Sequence, residues 1–400
     1  MKILVGCSLP ESALQELRSL GTEVLYEPDL TTERMEKLVR DVAVLIVCRT
    51  RVSPEVIAAG KELQMIVRAG TDTANIAVEE ASTQGIFVSN CPYKDAVAIA
   101  ELIFGLLLAL DRRVLENVAA FQKGVLDQPR AIDALGLEGR RLGVLGFGPV
   151  EQEIVKRARA FEMKLLAWSP TLTPELAAAS QVEFCAWPRE LARQSEMVTV
   201  YAPQQETGEV LVDAEFLENL RDGAYLVYVG HPAALDQTAL AETARARHLR
   251  VAYDISAPQL VSSDTGRFRS SLQALPGVIG THQLADRTRQ AYEATAAEVV
   301  RVIREFLVAG EVVNCVNLME HSPATWQLVL RLRDTVGVLA SIMEHIRTDG
   351  INVEEVSSRV FTGAQAGFCS VALDERPSAE ALNAIRELDG VLHLELRALV

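Results

Sequence analysis

Residues 142–170, L-G-V-L-G-F-G-P-V-E-Q-E-I-V-K-R-A-R-A-F-E-M-K-L-L-A-W-S-P, constrain this chain more than any other stretch. Apolar residues 142–147 read as a buried parallel strand, Gly146 and Gly148 as a tight turn, residues 154–161 as a helix, and residues 165–168 as a second strand. This is the opening strand–helix–strand of a dinucleotide-binding domain, where Gly146, Phe147, Gly148, Pro149 and Val150 would surround a pyrophosphate at a helix N-terminus. Two glycines of the G-x-G-x-x-G fingerprint are present, but its third position is Glu151, and the acidic residue expected about 20 residues on is Ser169. Pro149 and Glu151 are ordinary first-turn residues, so the helix supplies its own anion to the positive end of its dipole. Two like charges about 4 Å apart repel by roughly 4 kcal/mol at an effective dielectric of 20, which weakens any phosphate bound beside an ionised Glu151. Ser169 offers a ribose a single hydrogen bond, and no arginine follows it to receive the 2′-phosphate that distinguishes NADP.

The rest of the chain repeats this alternation. Residues 1–90 run strand, helix, strand through K-I-L-V-G-C-S, T-E-V-L-Y-E, V-A-V-L-I-V-C, M-I-V-R-A-G and I-F-V-S-N, with helices expected from Glu11, Thr32, Pro54 and Asn75. A long apolar helix over residues 97–113 follows, then a second alternating series to residue 283 and one long helix over 286–309. After a polar joint at His321, the order becomes strand–helix–strand–strand–helix–strand within about 75 residues, a ferredoxin-like βαββαβ module. The expected fold is therefore α/β: two doubly wound parallel-sheet domains, a flavodoxin-like one and a Rossmann one, followed by the βαββαβ domain. The boundaries read as 1–95 with 286–315, then 96–285, then 322–400.

With 54 acidic against 39 basic residues the formal charge is −15, which disfavours nucleic acid and anionic membrane as partners. The six cysteines, Cys7, Cys48, Cys91, Cys185, Cys315 and Cys369, lack any C-x-x-C spacing and mostly lie in strand-like runs. Reduced thiols in a cytoplasmic protein are the expectation, with no metal site. Residues 102–110, the longest apolar run, fall well short of the roughly 20 residues a membrane helix needs.

In their order and spacing, I-V-C-R-T-R-V-S-P-E-V-I (46–57), L-Q-M-I-V-R-A-G-T-D-T-A-N-I (63–76), G-I-F-V-S-N-C-P (85–92), A-E-L-I-F-G-L-L-L-A-L (100–110), L-G-V-L-G-F-G (142–148), T-H-Q (281–283) and D-T-V-G-V-L-A-S-I (334–342) make the whole chain resemble the D-2-hydroxyacid dehydrogenase family. Within it, the branch ending in an ACT module, the phosphoglycerate dehydrogenases, is the most similar. The resemblance implies hydride transfer between NAD and the hydroxyl carbon of 3-phosphoglycerate, a step toward serine. It also implies amino-acid feedback through the C-terminal module and a homodimer or homotetramer.

Carried over residue by residue, His282 stands at the acid/base position, and Asp254 stands near the nicotinamide side at a strand end. The glutamate expected after it is absent from Asp254-Ile255-Ser256-Ala257-Pro258. His231 occupies the place of the catalytic arginine; an imidazole offers one donor where a guanidinium grips a carboxylate with two. The substrate loop would comprise Gly70 and Thr71 with Asn90, but Asp72 puts a carboxylate where backbone N–H groups should face an anion. Val47 replaces the phosphate-gripping arginine, with Arg49 close by. In the C-terminal module, Asp334, Gly337 and Val338 mark the effector turn, Asp334 alternatively serving as a helix N-cap. His248, His321, His345 and His393 have no metal-ligand spacing and read as structural. Two functions remain open: an NAD-dependent dehydrogenase of altered substrate or rate, or a catalytically silent paralogue that binds a small ligand or a partner subunit.

Overall fold

The computed structural model describes residues 1–125, 134–202, 210–255, 271–275, 277–319 and 321–399. These form two compact units, Met1–Asn317 and Leu318–Val400. The first unit holds two parallel sheets, as the alternating pattern requires.

The first sheet comprises β1 (Lys2–Val5), β2 (Glu23–Tyr26), β3 (Val44–Val47), β4 (Met65–Arg68) and β5 (Phe87–Asn90), in the order β2-β1-β3-β4-β5. Between them run α1 (Glu11–Ser19), α2 (Thr32–Leu38), α3 (Pro54–Ala59) and α4 (Val78–Thr83). This is the flavodoxin-like order. One face carries Ile3, Val5, Val44 and Ile46 against Leu14 and Leu17 of α1; the other carries Leu4, Leu45 and Ile66 against Met35 of α2 and Ile57 of α3. Side chains of successive strand residues point to opposite faces, so a strand buried on both sides reads as one apolar run.

α5 (Ala96–Arg112) leads to the second sheet and ends at Arg113, whose left-handed φ of 49° starts α6 (Val114–Gln122) in a new direction. The second sheet comprises β6 (Arg141–Leu145), β7 (Lys164–Trp168), β8 (Glu183–Phe184), β9 (Met197–Ala202), β10 (Tyr225–Gly230), β11 (Arg250–Ile255) and β12 (Val278–His282), in the order β12-β11-β10-β9-β6-β7-β8. Its helices are α7 (Pro149–Ala160), α8 (Pro174–Ala179), α9 (Pro188–Gln194), α10 (Ala214–Glu218) and α11 (Gln237–Ala246). α5 and α7 cover one face through Ile99, Ile103 and Ile154; α9, α10 and α11 cover the other through Leu191, Phe216 and Leu240. The chain then returns through α12 (Arg289–Arg304), whose Val299, Val302 and Ile303 join the core of the first sheet.

Two helix expectations are corrected. The helix expected from Asn75 begins only at Val78, because Asn75 Nδ2 donates to the carbonyls of Cys48 (3.3 Å) and Thr50 (2.7 Å) and holds the loop extended. The single helix expected over residues 286–309 starts at Arg289, where Thr288 Oγ1 caps it by accepting from Ala291 N, and widens to a π-turn over Glu305–Ala309.

In the second unit, β13 (Trp326–Arg333), α13 (Val338–Thr348), β14 (Val353–Val360), β15 (Ala366–Leu373), α14 (Ala379–Glu387) and β16 (Val391–Ala398) form an antiparallel sheet ordered β14-β15-β13-β16. Leu328, Leu330, Cys369 and Val371 pack against Ile342, Ile346 and Ile385 of its two helices. Among the described residues no helix is long and apolar enough to cross a membrane.

Candidate functional site

The cleft of the first unit is built on the carboxyl ends of its strands, where parallel α/β sheets hold ligands. β6 ends at Leu145, and Gly146 adopts φ 111° while its N–H donates to Trp168 O at 2.7 Å. That conformation, which a side chain would strain, bends the chain into α7. Gly148 is the N-cap, with no side chain to cap the helix, and Pro149 is the first helical residue.

Glu151 then folds back over this turn. A β-carbon built on Gly146 would lie 2.9 Å from Glu151 Oε1, and one on Gly148 would lie 3.1 Å from Oε2. The carboxyl is buried and accepts from the N–H groups of Glu151 itself and Gly148, donors of the kind that otherwise bind phosphate at a helix N-terminus. Burial outweighs those hydrogen bonds and pushes its pKa up to about 7. The Glu151 carboxyl thus crowds the glycine turn from the protein's own helix, beside N–H groups of the kind a pyrophosphate uses. Val150 is fully buried in the α5–α7 core, and Phe147 packs against that core from the turn. Ser169, half-buried, accepts from Thr171 N at 3.3 Å and shares a 3.2 Å hydrogen bond with the Thr171 hydroxyl.

Asp254, at 2% exposure, is consumed by structure. It accepts from Thr281 Oγ1 (2.8 Å) and from the N–H groups of Leu284 and Ala285 (3.1 Å), tying β11 to the segment after β12. Of its two sequence-based roles, the turn cap is the one found. His282 ends β12 with its side chain exposed, and among the described residues no carboxylate pairs with it. The absent glutamate would fall near residues 256–258, which lie outside the described residues.

His231 follows β10. Its Nδ1 accepts from Ala233 N (3.3 Å), and burial lowers its pKa despite the nearby Asp72 carboxylate. A neutral imidazole with Nδ1 committed as an acceptor keeps only its Nε2–H to donate, so it does not reproduce an arginine's two-point grip.

The structure brings Gly70, Thr71 and Asn90, the residues expected in the substrate loop, together through their own hydrogen bonds. Asn90 Nδ2 donates to Thr71 O (2.6 Å), and Thr71 Oγ1 accepts from Tyr93 N (2.9 Å). Gly70, with φ 149°, leaves room for the Arg68 guanidinium, whose Nη1 would stand 1.6 Å from any β-carbon there. Arg68 donates to Ala69 O (3.0 Å) and to Asp72 Oδ2 (3.3 Å). Arg49 reaches the other strand series, donating to Gln283 Oε1 and Asp286 Oδ2, each at 2.8 Å. Arg49, Arg68 and Gly70 line a cavity of about 450 Å³ with Cys48, Asp95 and Asp286, whereas His231 and His282 are not among its walls. The sequence reading missed Arg68, although its place as the last residue of a parallel strand was the available signal. It also missed Tyr201, whose phenol is pushed up by burial and by the neighbouring Asp95, Glu151 and Asp72 carboxylates. Three carboxylates therefore surround this part of the cleft.

In the C-terminal unit the N-cap of α13 is Gly337 (φ 94°), not Asp334, and no side chain caps the helix. Asp334 is exposed, and its backbone N–H donates to Gln365 O at 3.0 Å. Val338 is buried, and a β-carbon on Gly390 would meet its Cγ2 at 2.7 Å. Among the described residues no group of three or more His, Cys, Asp or Glu side chains is placed to hold a metal ion.

A Rossmann sheet carrying a glycine turn, paired with a flavodoxin-like sheet across a cleft, defines the class of two-lobed nucleotide-domain oxidoreductase folds. Residues 104–294 match the D-isomer specific 2-hydroxyacid dehydrogenase, NAD binding domain. The chain is 30% identical over 341 residues to a D-3-phosphoglycerate dehydrogenase of Methanocaldococcus jannaschii, covering 84% of this chain and 64% of that one. It is 29% identical to a hydroxypyruvate reductase of Thermotoga maritima, covering 76% of this chain and 97% of the relative. Among solved structures, the TT0316 protein of Thermus thermophilus superposes with a TM-score of 0.67 at 29% identity, over 79% of this chain and all of that one. Residues 104–294 thus carry a D-isomer specific 2-hydroxyacid dehydrogenase NAD-binding domain, and the chain resembles D-3-phosphoglycerate dehydrogenases; NAD is the nucleotide for which that domain is described. The chain spans about 64% of the length of the first curated relatives it matches.

Proposed function

We propose that this protein is a catalytically silent phosphoglycerate dehydrogenase-like paralogue, whose cleft holds a small anionic or zwitterionic ligand and whose C-terminal unit senses an amino acid. The observation that carries the reading is the Glu151 carboxyl seated between Gly146 and Gly148. Three others support it. Asp254 is spent on the Leu284 and Ala285 N–H groups, His231 is a neutral acceptor in its own loop, and Arg68 is bound to Asp72 in its own substrate loop. Losing several transition-state contacts together removes most of the rate enhancement that preorganised charge supplies. In this reading residues 1–95 with 286–315 form the ligand lobe, 96–285 a scaffold retaining the NAD-domain shape, and 322–400 an ACT-like regulatory module. The assembly is a cytoplasmic homodimer or homotetramer.

A second reading is a slow NAD-dependent dehydrogenase of the serine pathway with His282 as acid/base. It is favoured by His282 standing exposed at the end of β12, beside Gln283, which the Arg49 guanidinium contacts across the cleft. Calorimetry with NADH and 3-phosphoglycerate, coupled to a turnover assay over a panel of 2-hydroxy and 2-keto acids, separates the two. The silent reading expects no turnover while 3-phosphoglycerate or an amino acid still binds. Turnover that disappears in His282→Ala overturns it and establishes the second.

A further inference from the structure

We infer that Cys48 and Cys7 form a peroxide-oxidisable thiol pair, with Cys48 the reacting sulfur and Cys7 the resolving one. β1 and β3 are parallel neighbours in the register Ile3↔Val44, Leu4↔Leu45 and Val5↔Ile46. The ladder continues beyond the strands, with Gly6 N donating to Ile46 O at 2.8 Å. Cys7 and Cys48 stand two residues past Val5 and Ile46, in the bends that follow the two strands. Cys7 belongs to the core of Ile3, Val5, Val44 and Ile46, and Cys48 packs against the same core. Neighbouring strands stand about 4.8 Å apart, within the roughly 4.4–6.8 Å Cα separation that a disulfide spans.

The two sulfurs differ in surroundings. Cys48 is half-buried and lines the 450 Å³ cavity, so a small oxidant reaches it there; Cys7 is only 4% exposed. Cys48 is hydrogen-bonded to the Cys7 thiol and faces the Arg68 and Arg49 guanidiniums, which together favour its thiolate. Cys7, hydrogen-bonded to Cys48 and buried, stays a thiol. Cys91 lies beyond β4 at the end of β5 and is held protonated by burial, so it does not compete.

The chemistry balances with hydrogen peroxide as the oxidant. The Cys48 thiolate attacks one peroxide oxygen; the O–O bond breaks, an S–O bond forms, sulfur loses two electrons, and the departing hydroxide takes up a proton as water. Cys7 sulfur then attacks the Cys48 sulfenic acid. An S–S bond forms, the S–O bond breaks, and the Cys7 proton leaves with the hydroxyl as a second water.

The full-length protein is treated with hydrogen peroxide near neutral pH, its thiols are titrated, and a non-reducing digest is mapped. Free thiols are expected to fall from six to four, with a linked peptide joining residues 7 and 48. Cys7→Ser should accumulate a sulfenate on Cys48 that dimedone traps, and Cys48→Ser should lose the linked peptide while its thermal melt stays cooperative. Cys315 is an internal control, half-buried with its thiol donating to Asn317 Oδ1 at 3.2 Å. Oxidation of Cys315 ahead of Cys48, or Cys48 oxidised in wild type without the cross-link to Cys7, overturns the proposal, and wild type alone suffices for that result.

Discussion

Glu151 stands against Gly146 as a phosphate would: a β-carbon on that glycine would be 2.9 Å from Glu151 Oε1, and the carboxyl accepts from the Gly148 N–H. A glycine turn is open because it lacks side chains, and here the opening is crowded from the third residue of the following helix. Removing that side chain restores both the space and the N–H donors. Glu151→Ala is therefore expected to tighten NADH binding by about tenfold or more, since close like charges cost several kcal/mol at moderate dielectric. Titration calorimetry at pH 8, where the carboxyl is ionised, is the most sensitive check. Equal affinity in both proteins would mean that the carboxyl swings clear at no cost.

The same carboxyl predicts a pH dependence of nucleotide affinity. A group near pKa 7 passes from mostly ionised at pH 8 to mostly neutral at pH 6, changing its neutral fraction about tenfold. Wild-type affinity for NADH should rise by a similar factor over that interval. Glu151→Gln, always neutral, should bind with a flat profile, and a wild-type profile equally flat would remove Glu151 from the linkage.

Stability should respond with a definite sign. The Glu151 pKa is raised from an ordinary 4.5, so between pH 4.5 and about 7 the unfolded chain releases a proton that the folded chain retains. The stability held below pH 4.5 is lost as pH rises through about 7, on the order of 3 kcal/mol for this one group. Urea unfolding of wild type and Glu151→Gln across pH 5 to 8 should show the difference shifting toward the variant as pH rises.

Much of the fold was legible because parallel strands buried on both faces announce themselves as apolar runs, and β1, β3, β6 and β10 lie where such runs stand. Position was legible, and direction was not. The sequence placed Glu151 in a first helical turn, but only the folded chain turns its carboxyl back over Gly146 and buries it. Asn75 offered a helix start by composition, yet its amide holds the carbonyls of Cys48 and Thr50, residues distant in sequence. Arg68 was hidden because its guanidinium lies beneath Gly70, a packing that the glycine permits and the letters V-R-A-G do not display. Asp334 failed as a cap because Thr335 and Val336 separate it from the N-cap at Gly337, three residues on.

The role assigned to Asp254 is testable without any ligand. Its carboxylate accepts from Thr281, Leu284 and Ala285, so Asp254→Ala leaves the N–H groups of Leu284 and Ala285 without this acceptor and the Thr281 hydroxyl with only its 3.4 Å bond to Tyr253 O. A loss of roughly 3 kcal/mol is expected, with a smaller loss for Asp254→Asn, whose amide oxygen still accepts. Chemical denaturation measures both. A stable Asp254→Ala protein would return this residue to the ligand side of the cleft.

The return of the chain to its first lobe rests on a second buried carboxylate with the opposite shift. Glu298 of α12 accepts from Arg301 Nη2 (2.6 Å) and Asn314 Nδ2 (2.7 Å) and pairs with Lys94 Nζ (3.0 Å), and these partners, Arg301 foremost, draw its pKa down to about 2. A depressed carboxylate contributes stability that is present above its ordinary 4.5 and is lost as pH falls toward 2. Partial solvent screening of the Lys94 and Arg301 side chains leaves that contribution at about 2 kcal/mol. Glu298→Gln should therefore be less stable than wild type by that amount at pH 7. The gap should close as pH falls through this range, because protonation removes from wild type what the substitution removes from the variant. A gap unchanged at low pH would assign the loss to packing, since burial of the side chain does not titrate.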